Sequence, residues 1–138
     1  MKKFSKCIFT ILFVISCHWV TAQQTESGVI KGTEKKATEI IKEVKRNKAY
    51  LVDVRTPEEF NAGHLKYAKN IDFKSAEFKN EINKLKKKKT VYLYCRSGNR
   101  SGKALDTLKS LGFNQPYNIG GFVDLLAAGL PGDTIKKK

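Results

Sequence analysis

Cys95 stands between an apolar run, "TVYLY" (residues 90–94), and "RSGNRS" (residues 96–101), which carries two arginines, two serines, an asparagine and a glycine. A thiolate, not a thiol, is the nucleophile, and a helix N-terminus or nearby guanidinium groups help it form. Arg96 and Arg100 supply such charge. Gly98 and Gly102 let the backbone curl closely, so that successive N–H groups point inward as an anion-binding nest. Ser97 and Ser101 add hydroxyl donors or cap a helix beginning near Ser101. The segment suits a negatively charged sulfur species. A buried structural cysteine before a helix is the plainer alternative, since buried cysteines are common. Two arginines are odd neighbours for an apolar thiol, which favours chemistry.

The cysteine count strengthens this. Of three cysteines in 138 residues, Cys7 and Cys17 fall in an N-terminal apolar stretch. "MKKFSK" followed by "CIFTILFVIS" is a basic start and an apolar run too short to span a bilayer, the pattern of a secretory signal. Residues 1–22 are therefore expected to be a signal peptide, cleaved after Val20-Thr21-Ala22 to leave Gln23 first. "VISC" offers a rival, a lipid anchor at Cys17. Either way the chain is expected to be exported, periplasmic or extracellular, or else tethered by lipid, with no transmembrane segment in the mature chain. Cys95 is then the one free thiol, and an odd cysteine in an exported protein points to a reactive group or an intermolecular partner. A structural zinc site would need more cysteines or histidines, so neither a metal nor a cofactor is expected.

Charge narrows the partners. The chain carries a net charge of +14, and removing Lys2, Lys3 and Lys6 leaves 24 basic against 13 acidic residues, or +11. Export and lysines scattered without stacking aromatics argue against nucleic acid. The run Lys84–Lys89 reads as a helix end and a solvated turn. A weak general pull on small anions remains, and a monomer is expected.

Positioning Cys95 requires strands and helices in alternation. Residues 23–32 read as a polar linker with a short strand at Val29-Ile30. Ala37, Ile40, Ile41 and Val44 form a helical stripe. "AYLVDV" (residues 49–54) suits a buried strand, and "TPEEF" opens a helix with Thr56 as N-cap and Pro57 at its first position. "YAKNI" reads as a brief strand, and "SAEFKNEINKLKKK" as a helix capped by Ser75. "TVYLY" is the clearest strand. It leads into a helix carrying Ala104, Leu105, Leu108 and Leu111 and closed by Gly112. "PYNI" is a last strand and "GGFVDLLAAG" a last helix. Such alternation predicts a single α/β domain over residues 33–132, with a mostly parallel central sheet, helices on both faces, and a basic tail at 133–138. Ligand crevices in such sheets lie beyond the C-terminal strand ends, where Cys95 falls.

"YCRSGNRS" resembles the active-site loop of the rhodanese family, the thiosulfate and related sulfurtransferases. "LVDVRTPEEFNAGHL" resembles the family's first signature, and "NIGGF" its glycine pair plus aromatic, with Phe122 where many members carry tryptophan. The three blocks occur in the family's order over about residues 33–132. The resemblance implies that Cys95 attacks the outer sulfur of a small sulfur-anion donor such as thiosulfate. The persulfide it forms would pass that sulfur to a thiophilic acceptor, cyanide in assay. It further implies that the amides of Arg96, Ser97, Gly98, Asn99, Arg100 and Ser101 cradle the persulfide, while Arg96 and Arg100 bind the donor's sulfonate. A non-catalytic sulfur carrier or protein-binding module is the alternative. Cysteine phosphatases, a third reading, place their arginine one residue further on, in a wider ring, and arsenate-reducing relatives are a minor one. Asp53 and Arg55 are expected to form a structural ion pair, tying that strand end to Glu58 or Glu59. His64 is expected to be architectural rather than a base.

Overall fold

The computed structural model describes residues 30–133. The expected signal peptide, Val29 and nearly all of the basic tail lie outside the described residues. In chain order the elements are α1 (Ala37–Lys45), β1 (Ala49–Asp53), α2 (Pro57–Ala62), β2 (His64–Leu65), β3 (Lys69–Asn70) and α3 (Phe78–Asn83). They continue with β4 (Thr90–Cys95), α4 (Asn99–Ser110), β5 (Gln115–Gly121), α5 (Phe122–Ala127) and β6 (Gly132–Asp133).

Thr90–Cys95 is buried along its whole length, as an apolar β-branched and aromatic run requires of a central parallel strand. β1 and β5 flank β4 in parallel, and β3 adds beyond β1, giving the order β3-β1-β4-β5. Strand alternation splits the core in two. Val91, Leu93 and Cys95 face Phe78 and Ile82 of α3 and Ala104 and Leu108 of α4. Tyr92 and Tyr94 face Ala37 and Ile40 of α1 and Leu125 of α5. Helices thus cover both faces of a parallel sheet, as the alternation predicts. The Tyr92 hydroxyl donates to Glu43 at 2.6 Å and accepts from Lys35 at 3.0 Å, pinning α1 to the strand that carries Cys95.

Several local expectations change. The expected strand at Ile30 is a turn. Thr33 N donates to the Ile30 carbonyl and Ile30 N to that of Lys35, because Gly32, at φ +83°, folds the chain back. Ile30 itself is buried, so the expected linker ends inside the folded body. Ser75 does not cap α3. Its hydroxyl accepts from Glu77 N at 3.1 Å in a preceding turn, and the helix proper starts at Phe78. The predicted Thr56 cap and Pro57 position are both present, with Glu59 closing a capping box. β2 and β6, two residues each, pair antiparallel and are too short to leave a sequence signal.

Candidate active site

Cys95 ends β4 at the C-terminal edge of the sheet, and α4 begins four residues later. The reversal between them needs Gly98, at φ +91°, as the residue preceding the helix. The helix therefore starts at Asn99 rather than Ser101, and neither serine caps it. The turn aims the Gly98 amide at Cys95 Sγ, 3.1 Å away. Ser101 lies inside the first helical turn, fully buried, with its hydroxyl 3.4 Å from the same sulfur.

Burial pushes the Cys95 thiol up, but hydrogen bonds from the Ser101 hydroxyl and from the Ser101, Ser97 and Gly98 amides outweigh it. The net result lies below the ordinary thiol value. The loop stabilises a thiolate mainly through oriented N–H and O–H groups, the nest amides and a serine hydroxyl that the sequence suggests, ahead of the arginines that it also suggests. The positive end of α4 acts in the same direction.

Asn118 is the organising residue that sequence reasoning missed. Between Leu93 and Tyr94 the pairing of β4 with β5 slips, so that Asn118 opposes Leu93 and Gly120 opposes Tyr94. Bulges of this kind re-aim side chains. Here Asn118 Nδ2 donates to the Gly98 carbonyl at 2.9 Å, and its Oδ1 accepts from Gly120 N at 3.1 Å and from the Ser101 hydroxyl at 2.7 Å. One amide thereby ties the cysteine loop to the glycine pair. Its amide side chain, just before "GG" in a strand where only Ile119 and Gly121 are buried, was the available signal. Gly121 must be glycine for the same closeness, since a Cβ would sit 2.8 Å from the Arg96 carbonyl oxygen.

The two loop arginines differ. Arg96 is exposed. Arg100 is largely buried and held by Glu59 of α2, with Nη1 at 2.6 Å from Oε2 and Nη2 at 2.8 Å from Oε1. Hydrogen bonding to Arg100, with a smaller part from the Thr56 amide, overcomes burial and draws the Glu59 carboxyl down to about 2. Asn99 and Ser97 are exposed at the loop.

Asp53 and Arg55 form a buried pair, with Nη2 at 2.6 Å and Nε at 3.0 Å from Asp53 Oδ2. Arg55 spends its other contact on the Gly63 carbonyl at 2.7 Å, not on Glu58 or Glu59 as expected. Its guanidinium also lies over the Phe122 ring, 4.4 Å from the centroid, which fastens the segment after β5 to the end of β1. His64 stacks on Phe60 at 3.8 Å and its Nδ1 lies 3.0 Å from the Phe60 carbonyl oxygen, an architectural placement.

Beside the loop a cleft of about 670 Å³ is lined by Ser97, Gly98, Asn118, Tyr117, Lys31 and Lys109, among others. It touches the outer side of the loop and does not include Cys95 itself. Among the described residues there is no grouping of three or more His, Cys, Asp or Glu side chains able to hold a metal ion. No helix among them is long and apolar enough to cross a membrane.

Comparison with known proteins agrees with this geometry. The family model of the rhodanese-like domain matches residues 36–128. The uncharacterized protein YqhL of Bacillus subtilis is 45% identical over 76 residues, covering 54% of this chain and 59% of that protein. Thiosulfate sulfurtransferase PspE of Escherichia coli is 34% identical over 54% of this chain and 71% of its own length. Thiosulfate sulfurtransferase GlpE of Pseudomonas aeruginosa is 30% identical over 71% of this chain and 87% of its own. Among solved structures, a rhodanese with anions from E. coli superposes with a TM-score of 0.54 at 30% identity. That match covers 62% of this chain and 98% of the other. A cysteine loop at the end of a parallel strand, its ordered amides and a match across most of the folded body converge, and the chain belongs to the rhodanese-like domain family.

Proposed function

We propose that the protein is an exported sulfurtransferase that moves sulfane sulfur from a thiosulfate-like donor to a thiophilic acceptor through a persulfide on Cys95. The observation that carries this reading is the seating of Cys95 Sγ under the Gly98 amide and the Ser101 hydroxyl at the mouth of α4. Relatives named thiosulfate sulfurtransferase support the reaction class.

The Cys95 thiolate attacks the outer sulfur of thiosulfate. A sulfur–sulfur bond forms to Cys95 as the bond to the sulfonate sulfur breaks, and sulfite leaves with the electron pair. The terminal sulfur of the persulfide then carries the negative charge that the thiolate had. Amides of Arg96 through Ser101 receive that charge without reorganising. Arg96, at the exposed mouth, attracts the anionic donor and offsets charge on departing sulfite, and Arg100 adds a second guanidinium that a sulfonate must share with Glu59. In the second half-reaction cyanide attacks the terminal sulfur, thiocyanate departs, and the Cys95 thiolate returns. No proton need move in either step, so His64 has no base to be. Asp53 and Arg55 support the strand end from beneath and touch neither reactant.

The six-residue span from Cys95 to Arg100 favours a single sulfur atom over a phosphate group. Incubation with thiosulfate and cyanide tests the proposal. Thiocyanate should form with the wild-type protein and not with Cys95→Ser, and a wild-type protein that forms none overturns it. Export rests on residues 1–22 and is tested by the intact mass of protein recovered from the exported fraction, expected to begin at Gln23; a lipid mass on Cys17 would replace that form with a tethered one.

A further inference from the structure

We propose that Glu59 is a specificity-determining residue: it occupies Arg100 as an internal rival of the donor's sulfonate and so tunes the site toward sulfane-sulfur donors of lower charge, such as persulfides. The proposal rests on the sulfurtransferase reading above and deepens it.

The geometry is that of a filled binding site. A guanidinium fork grips carboxylates and sulfonates alike through two parallel N–H donors. In Arg100 both ends of the fork are taken, Nη1 by Glu59 Oε2 and Nη2 by Oε1, at 2.6 and 2.8 Å. Glu59 is itself fixed. It sits at the third position of α2, and its Oε2 accepts from the Thr56 amide at 3.1 Å in the capping box. α2 is anchored in turn through the Arg55 bond to the Gly63 carbonyl. The rival carboxylate is therefore built into the scaffold and costs little entropy to keep in place. Its pairing persists across any working pH, because the carboxyl titrates only at about 2.

A thiosulfate dianion that recruits Arg100 must first displace this carboxylate, then lie beside it as a like charge. A persulfide donor brings one negative charge on the reacting sulfur: as a bond forms from Cys95 to that sulfur, the donor's own sulfur–sulfur bond breaks and its thiolate leaves with the electron pair, a step that needs only the loop amides and Cys95. The Glu59–Arg100 pair should thus weaken thiosulfate selectively while leaving persulfide donors nearly untouched.

Glu59→Gln isolates the effect, since glutamine can still close the capping box while losing the charge. Thiosulfate and cysteine persulfide are compared as donors, with the initial rate of Cys95 loading at each donor concentration followed by intact mass in the absence of any acceptor. Cys95 thiolate formation is read from the pH dependence of alkylation. KM for thiosulfate should fall about tenfold, the free energy of one charge-assisted contact, while the constants for cysteine persulfide stay within about twofold. Thiolate formation should move to lower pH, because the Arg100 charge is no longer neutralised. Exposed Glu58, one residue away, serves as the control. Glu58→Gln removes an equal charge and should leave the thiosulfate KM unchanged. A folded Glu59→Gln variant whose thiosulfate KM is unchanged or raised overturns the proposal, as does an equal effect of Glu58→Gln. A wild-type protein that loads sulfur from neither donor gives a different result, one that overturns the sulfurtransferase reading itself.

Discussion

Ser101→Ala tests how the loop stabilises its sulfur. The hydroxyl is fully buried, 3.4 Å from Cys95 Sγ and 2.7 Å from Asn118 Oδ1. One hydroxyl proton cannot serve both acceptors at full strength. When Cys95 is neutral the shorter contact to Asn118 wins, and when the thiolate forms the proton gains a charged acceptor. Sulfur is a diffuse acceptor and the distance is long, so the lower end of the range for charged hydrogen bonds applies, about 1.5 kcal/mol. Since a pKa unit corresponds to about 1.4 kcal/mol, the thiolate fraction near neutral pH should fall roughly tenfold. The Gly98 amide and the start of α4 remain, so activity should drop by a similar factor rather than vanish. Alanine is a good helix residue, and Asn118 Oδ1 keeps its bond from Gly120 N, which limits destabilisation to about 1 kcal/mol. The assay is the rate of Cys95 alkylation against pH. The variant should match the wild type at high pH, where both are fully ionised, and react about tenfold more slowly at neutral pH. Superimposable profiles would refute the reasoning, and would mean that the Ser101 proton stays with Asn118 in both states.

Three further outcomes follow from the same geometry. The Glu59 carboxyl titrates at about 2 in the fold against 4.5 ordinarily; a depressed carboxyl contributes stability above its ordinary value and loses it as pH falls through the folded one. Thermal unfolding should therefore show wild type ahead of Glu59→Gln by about 1 kcal/mol near neutral pH, a modest figure for a partly exposed pair. That lead should shrink between pH 4.5 and about 2. Gly32→Ala should cost at least about 2 kcal/mol, because the residue sits at positive φ and its Cβ would lie 2.1 Å from the Asn118 carbonyl oxygen. An unchanged melting temperature would contradict that packing. Aryl phosphates should be hydrolysed negligibly, and efficient hydrolysis lost in Cys95→Ser would point to phosphatase chemistry instead.

Much of this arrangement is readable from local chemistry. The buried parallel strands announce themselves as apolar runs, and Thr56, Pro57 and Glu59 mark the start of α2 by their own hydrogen-bonding needs. Cys95 stands out because charge and glycine surround it. What escapes is set by contacts distant in sequence. Glu59 reads as a helix-start acid, and nothing near it reveals that Arg100, 41 residues on, will fill both its oxygens. Ser101 reads as a cap because serines at helix starts usually are; only the left-handed turn at Gly98 moves the helix start and turns the hydroxyl onto sulfur. Asn118 looks like a surface residue of a short strand until the slipped pairing of β5 aims it at the loop. In each case the missing information was a long-range contact, a backbone turn or a strand register, not a residue type.

The central claim is that Cys95 itself carries the transferred sulfur. The most direct measurement is the intact mass of protein incubated with thiosulfate and no acceptor. Cys95 is the one cysteine among the described residues and is buried, so no second thiol among them can resolve a persulfide internally. The account predicts a stable species one sulfur atom heavier, absent in Cys95→Ser, which cyanide returns to the original mass with release of thiocyanate. Thiocyanate formed without any sulfur-loaded protein would contradict it, because the acceptor would then attack the donor directly and the loop around Cys95 would have no intermediate to hold.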